Sequence, residues 1–469
     1  MSQKQPVQPR TYRKAAQAPA KPSAPSRSAA PRAARGAVPA SPKPPRAERS
    51  NVTNLADRRA SAKSTESGKR FGGTRGVATG IAAVAQRTFA GQSMLFTMTA
   101  GVTAALVIFG LIMVLSASSI ESIKQFGNPF GFEWKQVLFA ALGGIALMTT
   151  SLLPVDWYHR NSTKLFYAGI ALQALVFLPG IGISVNGNRE WINLGPFTLQ
   201  PGEFLKIFMI LAMADYMSRR EGWQGLPQYG IGALRFLIFA GAAIIFGKDM
   251  GTVMVLGIIA LIMIWLGETY SRLMRGPLIL AGVATFAGLF IGSTSRVARI
   301  GAWLNPGTDD QSNPYVWQSQ HGFWALANSH IWGQGLGMSS LKWSWIPEVQ
   351  NDYIFAIIGE ELGILGALVT ILLFIALGWL ILQIAARAAD RYSRLLCYGV
   401  ASWIVLQACI NIGVVLGLLP VLGVPLPLIS YGGSSLIAAM GAIGVVLGVE
   451  RQNHLDLDGG HRSGPRSRR

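Results

Sequence analysis

The sequence predicts an all-α polytopic membrane protein of about ten transmembrane helices. Composition is the first observation behind this: of 469 residues, 51% are hydrophobic and only 13% charged, with positive mean hydropathy. A soluble chain of this length needs far more charge on its surface, so the apolar excess faces lipid. Uninterrupted apolar stretches are the second, beginning near Leu95 and recurring to about Val449. The third is the placing of Lys and Arg in alternate connections, which sets an orientation.

From the N-terminus, residues 1–92 are rich in Ala, Pro, Ser, Lys and Arg and carry much of the formal charge of +19. Such a mixture cannot bury enough apolar surface to offset chain entropy, so a disordered basic cytoplasmic tail is expected. The apolar h-region of a secretory signal is missing from it. No nucleic-acid-binding fold follows basic runs such as Arg10, Arg13 and Lys14, or Arg58 and Arg59, so no nucleic acid is expected. Anionic membrane lipid or acidic partners suit the tail better.

Spans are expected at about 95–117, 134–153, 164–180, 204–218, 231–247, 251–267, 277–293, 353–383, 395–417 and 434–449. The third, fourth and tenth are short for a bilayer, and the eighth is long enough to tilt or project above it. The basic tail, Arg160 with Lys164, Arg219 with Arg220, Arg272 with Arg275, Arg387 with Arg391 and Arg394, and the segment 451–469 then share one side. That side is the cytoplasm, which leaves both termini inside and a membrane domain over 93–450, followed by a cytoplasmic C-terminal tail.

The opposite side receives 118–133, 181–203, 294–352 and 418–433. Of these, 294–352 is a large extracytoplasmic loop between helices 7 and 8, and a loop of that length is functional or disordered. Its Trp303, Trp317, Trp324, Trp332, Trp343 and Trp345 argue against disorder. Interfacial anchoring accounts for about half of them. Cys397 and Cys409 read as small packing residues within one apolar segment. His159, His321, His330, His454 and His461 show no metal-ligand spacing.

Ionisable groups at membrane depth are costly and draw functional hypotheses. In the run Asn186, Gly187, Asn188, Arg189, Glu190 and Trp191, then Gln200, Pro201, Gly202, Glu203 and Lys206, the chain enters the fourth span through charge. Glu203 and Lys206 share a helix face and can pair inside the bundle, either as working groups or simply to fix register. A guanidinium at Arg189, beside the outer membrane face, suits a phosphate or carboxylate. Lys248 and Asp249 form a polar break, which is explained equally by Asp249 capping the sixth helix. In the large loop, Asn305, Pro306, Gly307, Thr308, Asp309 and Asp310 offer an aspartate as general base for a hydroxyl nucleophile, or a turn around Pro306 and Gly307. The run Gly333 to Gly337 follows no strand, so it makes no nucleotide loop. Glu360 and Glu361, adjacent within the eighth stretch, cannot both face lipid. Leu426 to Ser435, after Pro420, Gly423 and Pro425, breaks the approach to the tenth span and either lines a cavity or packs as a re-entrant turn.

Three of these segments together resemble the shape, elongation, division and sporulation family. They are Pro-Leu-Ile-Ser-Tyr-Gly-Gly-Ser-Ser at 427–435, Asp-Tyr-Ile-Phe-Ala-Ile-Ile-Gly-Glu-Glu-Leu-Gly at 352–363, and Gln-Pro-Gly-Glu at 200–203 with Lys206. The similarity covers about 95–450, and the long basic tail favours the division branch typified by FtsW over the elongation branch typified by RodA.

The resemblance implies a ten-helix peptidoglycan glycosyltransferase that polymerises lipid II into glycan at the outer face of the cytoplasmic membrane, at the division septum. Its essential aspartate, a few residues beyond an Asn-Pro, falls on Asp309 here. The family pattern of Asp-Pro is replaced by Asp309-Asp310, so Asp310 stands as the alternative. Arg189, Glu203, Lys206, Asp352, Ser430 and Ser434 are the implied substrate-binding residues. A divalent cation, Mg or Mn, would assist a pyrophosphate leaving group, although no complete ligand set is visible. Implied partners are a class B penicillin-binding protein (a transpeptidase), other divisome proteins and membrane lipid. A lipid II flippase is the alternative from another class, since polar breaks within a bundle also suit alternating access.

Overall fold

The computed structural model describes residues 93–185, 188–195, 197–219, 227–245, 247, 249–267, 294–305, 314–340 and 349–462. The tail at 1–92, Lys248, the expected span 277–293, Asp309 with Asp310, and Trp343 with Trp345 lie outside the described residues.

Nine of the ten expected spans are helices among the described residues: α1 (Met94–Phe126), α2 (Gly131–Leu152), α3 (Val155–Ala174), α4 (Pro201–Ser218), α5 (Pro227–Ile245), α6 (Met250–Leu266), α10 (Ile354–Arg387), α11 (Arg391–Val415) and α12 (Gly433–Arg462). Within the large loop lie α7 (Thr294–Leu304), α8 (Pro314–Ala327) and the short α9 (Val349–Asp352). Helices α1, α2, α10, α11 and the Gly433–Leu455 part of α12 are long and apolar enough to cross a membrane, and Gly232–Ile245 and Met250–Leu266 are shorter apolar helices. The chain is thus a helical polytopic membrane protein.

Local chemistry sets the helix ends. Ser93 caps α1 by accepting from the Phe96 N–H at 3.1 Å, and Gly127, at φ 70°, closes its other end in the left-handed region. The Ser93 hydroxyl also donates to Glu450 Oε1 at 2.5 Å, tying the start of α1 to α12. Asp390 caps α11 through the Ser393 N–H at 2.8 Å. Pro154, extended at ψ 143°, separates α2 from α3. As a result α3 starts at Val155, ahead of the expected 164, because the polar residues Asp156 to Lys164 are helical too.

The rest of that expected third span is not helix. After a 3-10 turn at Leu175–Phe177 the apolar run continues as β1 (Gly182–Val185), which pairs antiparallel with β2 (Asn188–Asn193), which pairs in turn with β3 (Thr198–Leu199). The register sets Ile183 opposite Trp191 and Ile192 opposite Leu199, with a bulge between Ile183 and Ser184. The bundle is therefore not purely helical: alternating β-branched and aromatic residues form a small sheet at one end. The last helix departs from expectation as well, continuing to Arg462 well beyond the apolar stretch.

The interior holds α4, α11 and α12, and the outward faces of α1 and α10 are apolar. Leu368, Val369, Leu372, Ile375 and Trp379 of α10 are exposed, as lipid contact requires. Cys397 is buried as expected, whereas Cys409 is exposed on the same helix.

Candidate active site

At the sheet end of the bundle, Pro201 opens α4 at a position where its missing N–H has no partner to lose. Glu203 follows in the first turn, where the helix dipole favours an anion, and Lys206 lies one turn on. Lys206 Nζ donates to Glu203 Oε1 at 2.8 Å and to Gln407 Oε1 at 3.0 Å, and stands 5.4 Å from the Trp403 ring centre. Exposure is 2% for Glu203 and 1% for Lys206. An ammonium this deep is held only because carboxylate, amide and aromatic face replace its water.

The chain of bonds runs on through α11. Trp403 Nε1 donates to Gln407 Oε1 at 2.8 Å, and Gln407 Nε2 donates to the Pro425 carbonyl at 3.0 Å. Asn411 Nδ2 donates to the carbonyls of Asp352 and Val424, both at 2.8 Å. Trp403, Gln407 and Asn411 repeat every four residues and so share one face of α11. That polar stripe ties the segment after α11 back onto the helix.

Within the turn, the Ser430 hydroxyl accepts from the Leu426 N–H at 2.9 Å and donates to the Asn351 carbonyl at 2.5 Å. Gln136 of α2 donates to the Ser430 carbonyl at 3.3 Å and accepts from the Gly432 N–H at 3.3 Å. Leu428 adopts φ 64°, a strained value for a side chain of its size, and is buried. Gly110 of α1 makes room: a Cβ there would stand 2.7 Å from Ile429 Cα and 2.8 Å from the Leu428 carbonyl oxygen. The described residues of this segment are thus packed against α1, α2 and the Asn351 backbone.

Ser434, at the head of α12, accepts from the Gln200 N–H at 3.0 Å and so joins α12 to α4. Gln200 Nε2 also donates to Glu190 Oε2 at 3.1 Å and reaches Asp249 Oδ2 at 3.5 Å. Asp249 caps α6 as expected, accepting from the Thr252 N–H at 2.9 Å. Burial, and next the neighbouring Asp249, push the Glu190 carboxyl up to about 8. Glu190 and Asp249 thus lie side by side, both reached by the Gln200 amide.

The remaining assigned residues are placed more loosely. Arg189 sits on β2, its N–H donating to the Gly247 carbonyl at 3.0 Å and its guanidinium Nη2 to the Leu178 carbonyl at 3.2 Å. Asp352 closes α9, with Oδ2 at 3.7 Å from where a Cβ on Gly423 would be. In the large loop, the Trp303 indole donates to the Gly417 carbonyl at 2.8 Å, so this tryptophan braces the end of α11, whereas Trp324 and Trp332 are strongly exposed. A divalent ion seeks several hard oxygens. Among the described residues, no group of three His, Cys, Asp or Glu side chains is arranged to hold one, and the Gln200 amide nitrogen stands against the Glu190–Asp249 pair. The described residues do not fit a metal, and no step below uses one.

A profile described as Cell cycle protein, spanning FtsW, RodA and SpoVE, matches residues 96–455. The chain belongs to this family, the SEDS family. Stage V sporulation protein E of Bacillus subtilis (strain 168) is 38% identical over 356 residues, 75% of this chain and 95% of that protein. "Probable peptidoglycan glycosyltransferase FtsW" of Mycobacterium tuberculosis (strain ATCC 25618 / H37Rv) is 37% identical over 357 residues, 76% of this chain and 68% of that protein. Two solved structures share the fold. A chain of a peptidoglycan synthase complex, reported for the coordination of polymerization and crosslinking, superposes with TM-score 0.62 at 24% identity, covering 78% of this chain and 99% of that one. RodA of Thermus thermophilus does so with TM-score 0.58 at 22% identity and the same coverage.

In this SEDS chain the Glu203–Lys206 pair is legible in the sequence, and the residues that wire it are less so. Gln407 and Asn411 interrupt an apolar run, and their four-residue spacing with Trp403 was the available signal, whereas Gln136 follows Lys135 at the polar start of its helix.

Proposed function

We propose that this SEDS protein is a peptidoglycan glycosyltransferase that polymerises lipid II at the outer face of the cytoplasmic membrane, and that it serves cell division. The activity named for its FtsW relatives supports the reaction class. The observation that carries the site is the sealed Glu203–Lys206–Gln407 chain at the head of α4. An ion pair at this depth is a poor source of stability, which favours a working role.

With a further span over 277–293 there are ten, both termini are cytoplasmic, and the sheet end faces outward. Lipid II there presents its sugars just outside the hydrocarbon and its pyrophosphate at headgroup depth. Asp309, with Asp310 as its competitor, takes the proton of the acceptor 4-hydroxyl as that oxygen bonds to the donor anomeric carbon. The bond from that carbon to undecaprenyl pyrophosphate breaks, and inversion gives a β link. Arg189, on β2, is the cation for the departing pyrophosphate. Lys206 adds its charge from below, since two of its three N–H groups are held by Glu203 and Gln407. Ser430, Ser434 and Asp352 shape the wall of the site. A class B penicillin-binding protein is the partner that crosslinks the product, and the basic tail at 1–92 engages anionic lipid or other divisome proteins.

Purified full-length chain with its transpeptidase partner is expected to extend lipid II into glycan. Asp309→Ala abolishes this without lowering the melting temperature, and full activity in that variant would assign the base to Asp310, tested beside it as Asp310→Ala. Movement of labelled lipid II across vesicles, with no polymerisation under any partner condition, would replace the enzyme reading with a transporter. A tagged copy is expected at the septum; sidewall labelling would assign elongation instead.

A further inference from the structure

Glu360 and Glu361 lie near the head of α10, and both are 0% exposed. Each is bonded to a segment other than its own. Glu360 Oε1 accepts from the Ser340 N–H at 2.9 Å and the Ser340 hydroxyl at 2.6 Å, while Oε2 accepts from the Ser339 hydroxyl at 2.5 Å. Glu361 accepts from the Ser116 hydroxyl of α1 at 2.6 Å and from the Ser339 N–H at 3.3 Å. Two neighbouring carboxyl groups thus bring together α1, α10 and the 329–340 limb of the large loop.

The backbone is built around the same point. α10 breaks at Gly363, at φ 70° and ψ −166°, so its helical hydrogen bonds are interrupted there. The loop supplies the missing partners: Gln334 and Gly335 N–H donate to the Glu360 and Glu361 carbonyls, both at 2.9 Å, and the Ile364 N–H donates to the His330 carbonyl at 3.2 Å. Where the chains cross, Gly333 meets Gly363 so closely that neither has space for a Cβ. Upstream of this limb, α8 packs on the same part of the molecule, Gly322 against Tyr353 and Gly359 against Leu326. The segment that precedes α8 is the one that carries Asp309.

We infer that Glu360 and Glu361 are positioning residues for the glycosyl transfer: a carboxyl latch that clamps the C-terminal limb of the large loop to α1 and broken α10, and so orders the loop that the transfer uses. Their hydrogen-bond partners are hydroxyls and amides, so the latch acts by geometry, and neither glutamate touches substrate. The inference rests on the glycosyltransferase reading, and its test separates the two.

Hydrogen exchange of residues 329–340 in the full-length chain reads the latch without reference to activity; lipid II polymerisation with the transpeptidase partner reads its consequence. Glu360→Ala is expected to speed exchange across 329–340 by about tenfold or more, since buried carboxyl acceptors are lost, while α11 keeps its protection. It lowers kcat about tenfold, with KM for lipid II changed less than about threefold. Glu360→Gln recovers both, because a glutamine oxygen can serve the two Ser340 donors while its NH2 donates to the Ser339 hydroxyl. Should Glu360→Ala unfold the bundle, Ser339→Ala with Ser340→Ala removes the loop-side hydroxyls and leaves the glutamates in place. The inference is overturned by unchanged exchange in both of these variants, by Glu360→Gln behaving like Glu360→Ala, or by loosened exchange with undiminished kcat. Absence of polymerisation by the wild-type chain would sink the enzyme reading alone, since exchange still judges the latch.

Discussion

Lys206 Nζ lies 2.8 Å from Glu203 Oε1, one turn away on α4, with both side chains all but sealed from solvent. Removing one partner strands the other. Lys206→Met is expected to destabilise the chain by about 3–5 kcal/mol, the usual result of an uncompensated buried charge. Adding Glu203→Gln to it restores much of that stability, because no charge then remains to be solvated. Thermal unfolding in detergent checks the pair of variants, and polymerisation stays lost in both. Equal melting temperatures for the single and double variants would show that the two groups are not coupled.

The Glu190 carboxyl predicts a pH dependence of known sign. Its value rises from 4.5 to about 8 in the folded chain, so between these limits the folded state holds a proton that the unfolded state has released. Stability therefore falls as pH rises through that window and levels off above about 8. Glu190→Gln keeps a neutral group beside Asp249 and flattens the slope. Melting temperatures between pH 5 and 9 test this; an unchanged slope in Glu190→Gln would place the titrating group elsewhere.

Ser430→Ala is expected to cost about 1–3 kcal/mol, because its hydroxyl serves two backbone partners, Leu426 and Asn351, at a buried turn. Hydrogen exchange should quicken over 426–432 before α11 or α12 responds. Uniform loosening of both helices would instead mean that the turn is not a separate unit.

Among the described residues, the Arg189 guanidinium makes one hydrogen bond, to the Leu178 carbonyl at 3.2 Å. Arg189→Ala is accordingly expected to shift stability by less than about 1 kcal/mol. Its effect falls on lipid II polymerisation, where Arg189→Lys restores little if the guanidinium grips pyrophosphate through two parallel bonds. Wild-type kinetics in Arg189→Ala would remove this residue from the site.

Much of this architecture was legible in the sequence for plain reasons. Apolar runs gave the helices, the three-residue spacing gave the Glu203–Lys206 pair, and Asp249 before an apolar run gave a cap. The third span was misplaced because hydropathy follows side chains while a helix follows hydrogen bonds: polar Asp156 to Thr163 is already α3, and apolar Leu175 to Gly180 leaves it at a 3-10 turn. The dipeptide Asn186-Gly187, between Val185 and Asn188, signalled a hairpin that the search for spans passed over. Both glutamates at 360 and 361 are buried, where the argument from lipid required only one. Their partners, Ser116, Ser339 and Ser340, are distant in sequence and common in type, so no local pattern marks them. Asp309 and Asp310 lie outside the described residues, and the choice between them rests on the variants above.

The break at Gly363 divides α10 into two pieces with different surroundings. Tyr353 to Glu361 is wholly buried, and beyond Gly363 the helix turns exposed apolar side chains outward. A continuous rod would carry any tilt of its lower part straight into its upper part. Here the loop segment straddles the joint, bonded to the Glu360 and Glu361 carbonyls on one side and to the Ile364 N–H on the other, so the bend itself is locked. Any side chain at Gly363 would drive a Cβ into the Ile331 carbonyl and the Gly333 nitrogen, and so unseat the loop segment rather than straighten the helix.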